Sequence, residues 1–175
     1  MILLFEGVDN TGKTELAKAV SSKYNAFYFR MNNQIPSLSR EDSANMQKYI
    51  YQEWYLLYDF IRQSKLKNIV FDRSYISEYA YGYVLRQKTY SHKTDSKIFM
   101  IDQLFKELDS HVVYCYKDKD TLFKDYSDKY VTSKKIPLLE KRYENYLSKT
   151  LLPTHKINMS SRDIKIELSQ LKIGE

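Results

Sequence analysis

The chain predicts an α/β fold, a three-layer sandwich in which a five-stranded parallel sheet carries helices on both faces. Three observations lead there. Short apolar runs of strand length alternate with segments whose apolar residues recur every three or four positions. The first run leads straight into Gly7-Val8-Asp9-Asn10-Thr11-Gly12-Lys13-Thr14, which holds two of only four glycines in 175 residues. Arg30 and Asp72-Arg73 stand where later runs end, and parallel sheets bind ligands at the carboxyl ends of their strands.

In chain order, the predicted strands are residues 2–6, 26–30, 68–72, 111–116 and, with a weaker pattern, 155–159. Helical spacing covers 13–23, about 43–64, 74–87, 95–108, 137–150 and 161–171. There is no internal repeat, low-complexity tract or linker rich in proline and glycine, so residues 1–175 are expected to form a single domain. Two segments break the pattern. Asn32 to Ser37 is polar and interrupted by Pro36, and about 118–135 is rich in lysine and aspartate, placed after the fourth strand where a lid over phosphates would be useful.

Composition narrows the partners. The net charge of +6 favours anions, but 21 lysines against seven arginines read mainly as a solvated surface. Seventeen tyrosines and eight phenylalanines could stack nucleic-acid bases, yet they fit core and half-buried strand positions better. The single cysteine, Cys115, lies in an apolar run and reads as a small core residue, in keeping with a reducing cytosol. No apolar run approaches membrane-spanning length and no signal segment is evident, so a cytoplasmic protein without a membrane partner is expected.

Gly7 to Thr14, between a strand and a helix, is a phosphate-binding loop, and the fold expected is of the P-loop NTPase type. Glycines at its ends let successive amides of Gly7, Asn10, Thr11 and Gly12 turn inward on phosphate oxygens at a helix N-terminus. Lys13 would reach the outer phosphates of ATP. Thr14 would offer a hydroxyl to Mg²⁺, a hard cation that takes oxygen ligands, and Asp72 could orient a magnesium-bound water or Arg73.

Two motifs carry a resemblance. Phe5 to Thr14 matches the Phe-Glu-Gly-x-Asp-x-x-Gly-Lys-Thr loop of thymidylate kinases. Asp72, Arg73, Ser77, Ala80 and Tyr81 match their Asp-Arg-Tyr-x-x-Ser-x-x-Ala-Tyr-Gln. Glu6 and Ser74 are shared instead with the related deoxynucleoside kinases, whose motif reads Glu-Arg-Ser. The resemblance implies ATP- and Mg²⁺-dependent phosphoryl transfer to a deoxynucleoside monophosphate, with a dTMP-like acceptor, and a homodimer. It implies that Arg73 and Arg30 hold the acceptor phosphate, that Asp9 binds the sugar hydroxyl, and that Ser77 and Tyr81 belong to the acceptor site. Glu6 is left open between a base and an orienting group.

For the acceptor's base, Gln52 is the expected reader, since a carboxamide both donates and accepts, with Tyr51, Trp54 or Tyr55 nearby. A second alignment would use Tyr58 and Arg62. The chain departs from the pattern in two places. Gly82 replaces the glutamine that ends the second motif, and no arginine occurs from 87 to 141, where a lid arginine is expected. Lys124, Lys129, Lys134, Lys135 or Arg142 would have to replace it. Three other readings remain: a deoxynucleoside kinase with Glu6 as general base, a kinase acting on DNA, and a nucleotide-binding protein without turnover.

Overall fold

A computed structural model describes residues 1–31, 40–86, 95–124, 131–161, 163–165 and 171. The predicted segment 32–37, Lys129 and most of the helix expected at 161–171 lie outside these residues. The strands are β1 (Ile2–Glu6), β2 (Phe27–Arg30), β3 (Ile69–Asp72), β4 (Ser110–Tyr116) and β5 (Thr154–Asn158). They form one parallel sheet in the order β2-β3-β1-β4-β5. β1 is central; the chain leaves it for β2 at one edge and leaves β3 for β4 on the other side, which opens a crevice at the carboxyl ends of β1 and β3.

Strand alternation divides the core into two. Ile2, Leu4, Ile69, Phe71, Val112 and Tyr114 face one layer, while Leu3, Phe5, Val70, Val113, Cys115 and Ile157 face the other. Because both faces are covered, β1 and β3 are continuously apolar rather than alternating with polar residues. β2, at the edge, is short and mostly exposed.

On one face lies α1 (Lys13–Lys23), packed through Leu16, Ala17 and Val20. It begins at Gly12 in a left-handed conformation, and the chain turns away at Asn25, whose φ of 48° is tolerated by asparagine. The other face carries α2 (Arg40–Ser64), α5 (Asp95–Glu107) and α7 (Ile136–Leu147). Between α2 and α7 runs a composite element: α3 (Tyr75–Ser77), a π-helical turn (Glu78–Gly82) and α4 (Tyr83–Leu85). The sequence predicts a plain helix over 74–87; the structure widens its middle, a change that commonly marks functional sites. A short α6 (Lys119–Lys124), absent from the sequence expectation, opens the lysine-rich segment. No described helix is long and apolar enough to cross a membrane.

Tyrosine abundance has a structural explanation. Tyr75 and Tyr146 donate to Asp102, Tyr143 to Glu6, Tyr81 to Asp9, Tyr58 to Glu107 and Tyr28 to Asp72. The rings fill the core while each hydroxyl satisfies a carboxylate. Asp102, fully buried, also takes the Thr150 hydroxyl and ties α3, α5 and α7 together behind the crevice.

Candidate active site

The loop after β1 folds as its residues demand. Gly7 has φ 143°, and a Cβ there would overlap the Cys115 carbonyl on β4. Asn10 and Gly12 take left-handed φ values of 63° and 87°, so the chain curls around a hollow at the start of α1. Thr11, buried, donates its hydroxyl to the Val8 carbonyl at 3.0 Å and closes the curl. Lys13 lies back across the loop, its Nζ 3.2 Å from the Val8 carbonyl and 3.9 Å from Asp9. Burial, with Arg73 adding repulsion, pulls its pKa down to about 8.

Asp72 meets this loop from the end of β3. Its Oδ2 accepts from Thr14 Oγ1 at 2.7 Å and from the Tyr28 hydroxyl at 2.8 Å, and Arg30 Nε lies 3.8 Å away. Burial and the Asp72 carboxylate push the Tyr28 hydroxyl up to about 12. Asp72 Oδ1 is buried and has no hydrogen-bond partner among the described residues. A hydroxyl beside a carboxylate with an unused oxygen suits Mg²⁺, which keeps most of its waters and takes few protein ligands. No cluster of three or more His, Cys, Asp or Glu able to hold a metal occurs among the described residues.

Arg73 follows with φ 73°, a left-handed conformation that costs a large side chain about 1–3 kcal/mol. Its amide donates to the Phe5 carbonyl, and the strained backbone turns its side chain back over the phosphate loop. There the guanidinium pairs with Asp9, donates to Ser77 Oγ at 3.2 Å and to the Tyr81 hydroxyl at 3.3 Å, and lies over the Tyr81 ring. Tyr81 in turn donates to Asp9. Asp9 and, 64 positions and more further on, Arg73, Ser77 and Tyr81 are thus one hydrogen-bonded unit.

Glu6 stands behind Arg73 with no exposure. Its Oε1 accepts from the Ser74 amide and hydroxyl, and its Oε2 from Ser77 Oγ and the Tyr143 hydroxyl, all at 2.6–2.9 Å. Burial nevertheless raises its pKa against Arg73 and these donors. Sequence reasoning missed Tyr143, which comes from α7, 137 positions away.

Beyond Arg73 the crevice continues between Met31 and Leu85 to Glu78 and Arg86. These two form a buried ion pair, and Arg86 Nε also donates to Ser43 Oγ on α2 at 3.1 Å. Gly82 is small for a spatial reason: a Cβ there would overlap the Glu78 carboxylate and crowd the Arg86 guanidinium. The expected base reader is elsewhere. Gln52 is exposed and lines a separate groove with Tyr55 and Leu56 of α2 and Met100 of α5. Trp54 is buried against Phe71, Tyr75 and Phe105, while Tyr58 and Arg62 turn toward α5 and solvent. The buried carboxamide of α2 is Gln47, which lies beside Glu78. The signal was the stripe Ile50, Trp54, Ile61, which extended backward by helical steps buries Gln47 and Ser43 and leaves Gln52 outside.

The candidate replacements for a lid arginine divide similarly. Arg142 is packed over Tyr79 and Tyr83, donates to the Tyr79 carbonyl and pairs with Asp95, which anchors it to the helical layer. Lys134 is exposed in a 3-10 turn before α7. Both ends of the lysine-rich segment are anchored: Asp118 N bonds Ser160 Oγ, and Leu122 and Val131 are core residues.

No protein-family model matches the sequence, and no curated protein matches it. Solved structures do match in fold. The YorR protein of Bacillus subtilis, in complex with phosphorylated GDP, has a TM-score of 0.70 at 21% identity, over 97% of this chain and 94% of that one. Deoxyadenosine kinase of M. mycoides with bound dATP has a TM-score of 0.63 at 15% identity, over 97% and 96%. Thymidylate kinase of Candida albicans has a TM-score of 0.57 at 15% identity, over 99% and 95%. The chain shares the fold of the P-loop kinases, thymidylate and deoxyadenosine kinases among them.

Proposed function

We propose that this protein is a kinase that transfers the γ-phosphoryl group of ATP to the phosphate of a deoxynucleoside monophosphate. The observation that carries this reading is Arg73, turned back from the end of β3 onto Asp9 of the phosphate loop and held there with Tyr81. The loop and Lys13 would cradle the donor phosphates. Arg73, already charged and aimed, would exchange part of its contact with Asp9 for the acceptor phosphate, whose oxygen attacks the γ-phosphorus as the bond to the β-phosphate oxygen breaks. Asp9 and Tyr81 would then hold the sugar. Arg30, at the end of β2 and largely exposed, would help neutralise the same phosphate.

Thr14 and Asp72 would hold Mg²⁺, which when bound neutralises charge on the donor's phosphates. The remaining work is positioning and electrostatics, which loose phosphoryl-transfer transition states chiefly require. The lysine-rich segment, about 118–135, would serve as the lid of this one domain. The homodimer implied by resemblance is supported by the exposed Tyr55, Leu56, Phe60 and Met100 on α2 and α5.

A nucleoside kinase would need Glu6 as the base for a 5′-hydroxyl. Each Glu6 oxygen already accepts two hydrogen bonds inside the protein, which supports an orienting role instead. Arg73→Lys tests the choice. A lysine cannot present a planar fork, and a charged hydrogen bond contributes about 1.5–3 kcal/mol. Efficiency toward monophosphates should therefore fall by about one to two orders of magnitude, through both KM and kcat. A variant that loses no monophosphate activity, or in which Glu6→Gln is the more damaging change for nucleosides, would contradict the reading.

A further inference from the structure

Side chains alternate along β2. Phe29 stacks on Phe71 at 5.5 Å in the layer of α2 and α5, which turns Tyr28 and Arg30 toward the layer of α1. In the parallel register Tyr28 stands beside Val70 and Arg30 beside Asp72. The half-buried Tyr28 ring crosses diagonally to Asp72, a reach that a long aromatic side chain has, and its hydroxyl donates to Oδ2 at 2.8 Å. Thr14 Oγ1, in the first turn of α1, donates to the same oxygen at 2.7 Å from the other side. Arg30 Nε adds positive charge at 3.8 Å.

The carboxylate is therefore used unevenly. Oδ2 has two hydroxyl donors, whereas Oδ1 is buried and has no hydrogen-bond partner among the described residues. A carboxylate free to turn about its Cβ–Cγ bond would share its donors between both oxygens, and a buried acceptor left without one calls for a reason. One donor alone lets the group pivot about that contact. Two donors, from β2 and from α1, fix its plane and keep Oδ1 for a partner that comes with the nucleotide. Thr14 gives its hydrogen to Asp72 and so keeps its lone pairs for a cation.

We propose that Tyr28 is a positioning residue for the divalent cation: its hydroxyl fixes Asp72 so that Oδ1 meets the cation or one of its waters. The inference rests on the reading of Thr14 and Asp72 as the Mg²⁺ holders given above and adds the residue that sets their geometry. Tyr28 lies in neither of the two motifs that carry the phosphate loop and Asp72-Arg73. Its role comes from the register of β2 against β3.

The experiment titrates Mn²⁺, as a probe for Mg²⁺, into the protein saturated with an imido analogue of ATP, and reads free Mn²⁺ by electron paramagnetic resonance. Calorimetry of the analogue in chelator measures the rest of the site without a cation. Tyr28→Phe keeps the ring and removes only the hydroxyl; it should weaken Mn²⁺ binding by about tenfold, as loss of an outer partner to a metal-binding carboxylate typically does, and leave analogue binding in chelator within about twofold. Asp72→Asn should weaken Mn²⁺ at least as much. Adding Tyr28→Phe to Asp72→Asn should then weaken it no further, because the hydroxyl acts through that carboxylate.

Unchanged Mn²⁺ affinity in Tyr28→Phe, beside a weakened Asp72→Asn, overturns the proposal and leaves the cation reading standing. Analogue binding in chelator that falls as far as Mn²⁺ binding, with a lower melting temperature, marks a bond that only holds the fold together and overturns it as well. An Asp72→Asn that binds Mn²⁺ as the wild type does overturns the cation reading and this one with it. A weakened Mn²⁺ site in Tyr28→Phe, in a protein that phosphorylates no acceptor, would overturn the kinase reading and support this one.

Discussion

Lys13 meets opposing demands: burial and Arg73 draw its proton affinity down, and bound phosphates would raise it again. With a pKa of about 8 in the free protein, the ammonium is present below that pH and lost above it. ATP binding should therefore take up a proton above about pH 8, and affinity should weaken by up to about tenfold per pH unit as pH rises further. Calorimetry in buffers of different ionisation heat measures both. Flat affinity and no proton uptake across this range would contradict the placement of Lys13. Lys13→Ala should abolish turnover and keep the fold, since among the described residues the ammonium bonds only the Val8 carbonyl and approaches Asp9. Gly7→Ala should do the opposite, destabilising by roughly 2–5 kcal/mol through overlap with Cys115 and a disallowed φ, as urea unfolding would read. Lys13 with Thr14, and Asp72 with Arg73, stand out in the sequence because in each of two short stretches a motif coincides with the end of a strand. Tyr143 does not, because its importance comes from a contact between distant elements.

At the scale of elements, the widened turn Glu78–Gly82 shows what periodicity hides. The residues from 74 to 87 have helical spacing, but the buried Glu78-Arg86 pair needs room beside Gly82 that packing alone determines. Glu78→Gln should destabilise by about 3–5 kcal/mol because it strands the Arg86 charge, and equilibrium unfolding would measure it. A change below about 1 kcal/mol would mean the pair is better solvated than its burial implies. The lysine-rich segment makes a different prediction. Its ends at Asp118 and Val131 are anchored, so closure should be confined between them. Amide exchange in about 118–135 should slow with an ATP analogue and acceptor together, and unchanged exchange would identify an ordinary connector.

At the scale of the molecule, the sheet was the most legible feature, since buried parallel strands leave uninterrupted apolar runs such as Ile2–Phe5 and Ile69–Phe71. The outward stripe of α2 was harder to read. Tyr55, Leu56 and Phe60 look like core residues in sequence, yet they are exposed beside Met100. A homodimer closing there should elute at twice the chain mass, and Leu56→Glu should give monomers by light scattering. A monomeric wild type would contradict that assembly. The central claim concerns chemistry across the crevice, and one measurement addresses it most directly. Labelled ATP and Mg²⁺ are incubated with a matched set of deoxynucleoside monophosphates and deoxynucleosides, and the products are separated. The account predicts diphosphates from the monophosphates and little or no product from nucleosides, because Arg73, held between Asp9 and Tyr81, is set for an acceptor phosphate. Monophosphates appearing as products from nucleosides, with no diphosphate formed, would contradict it.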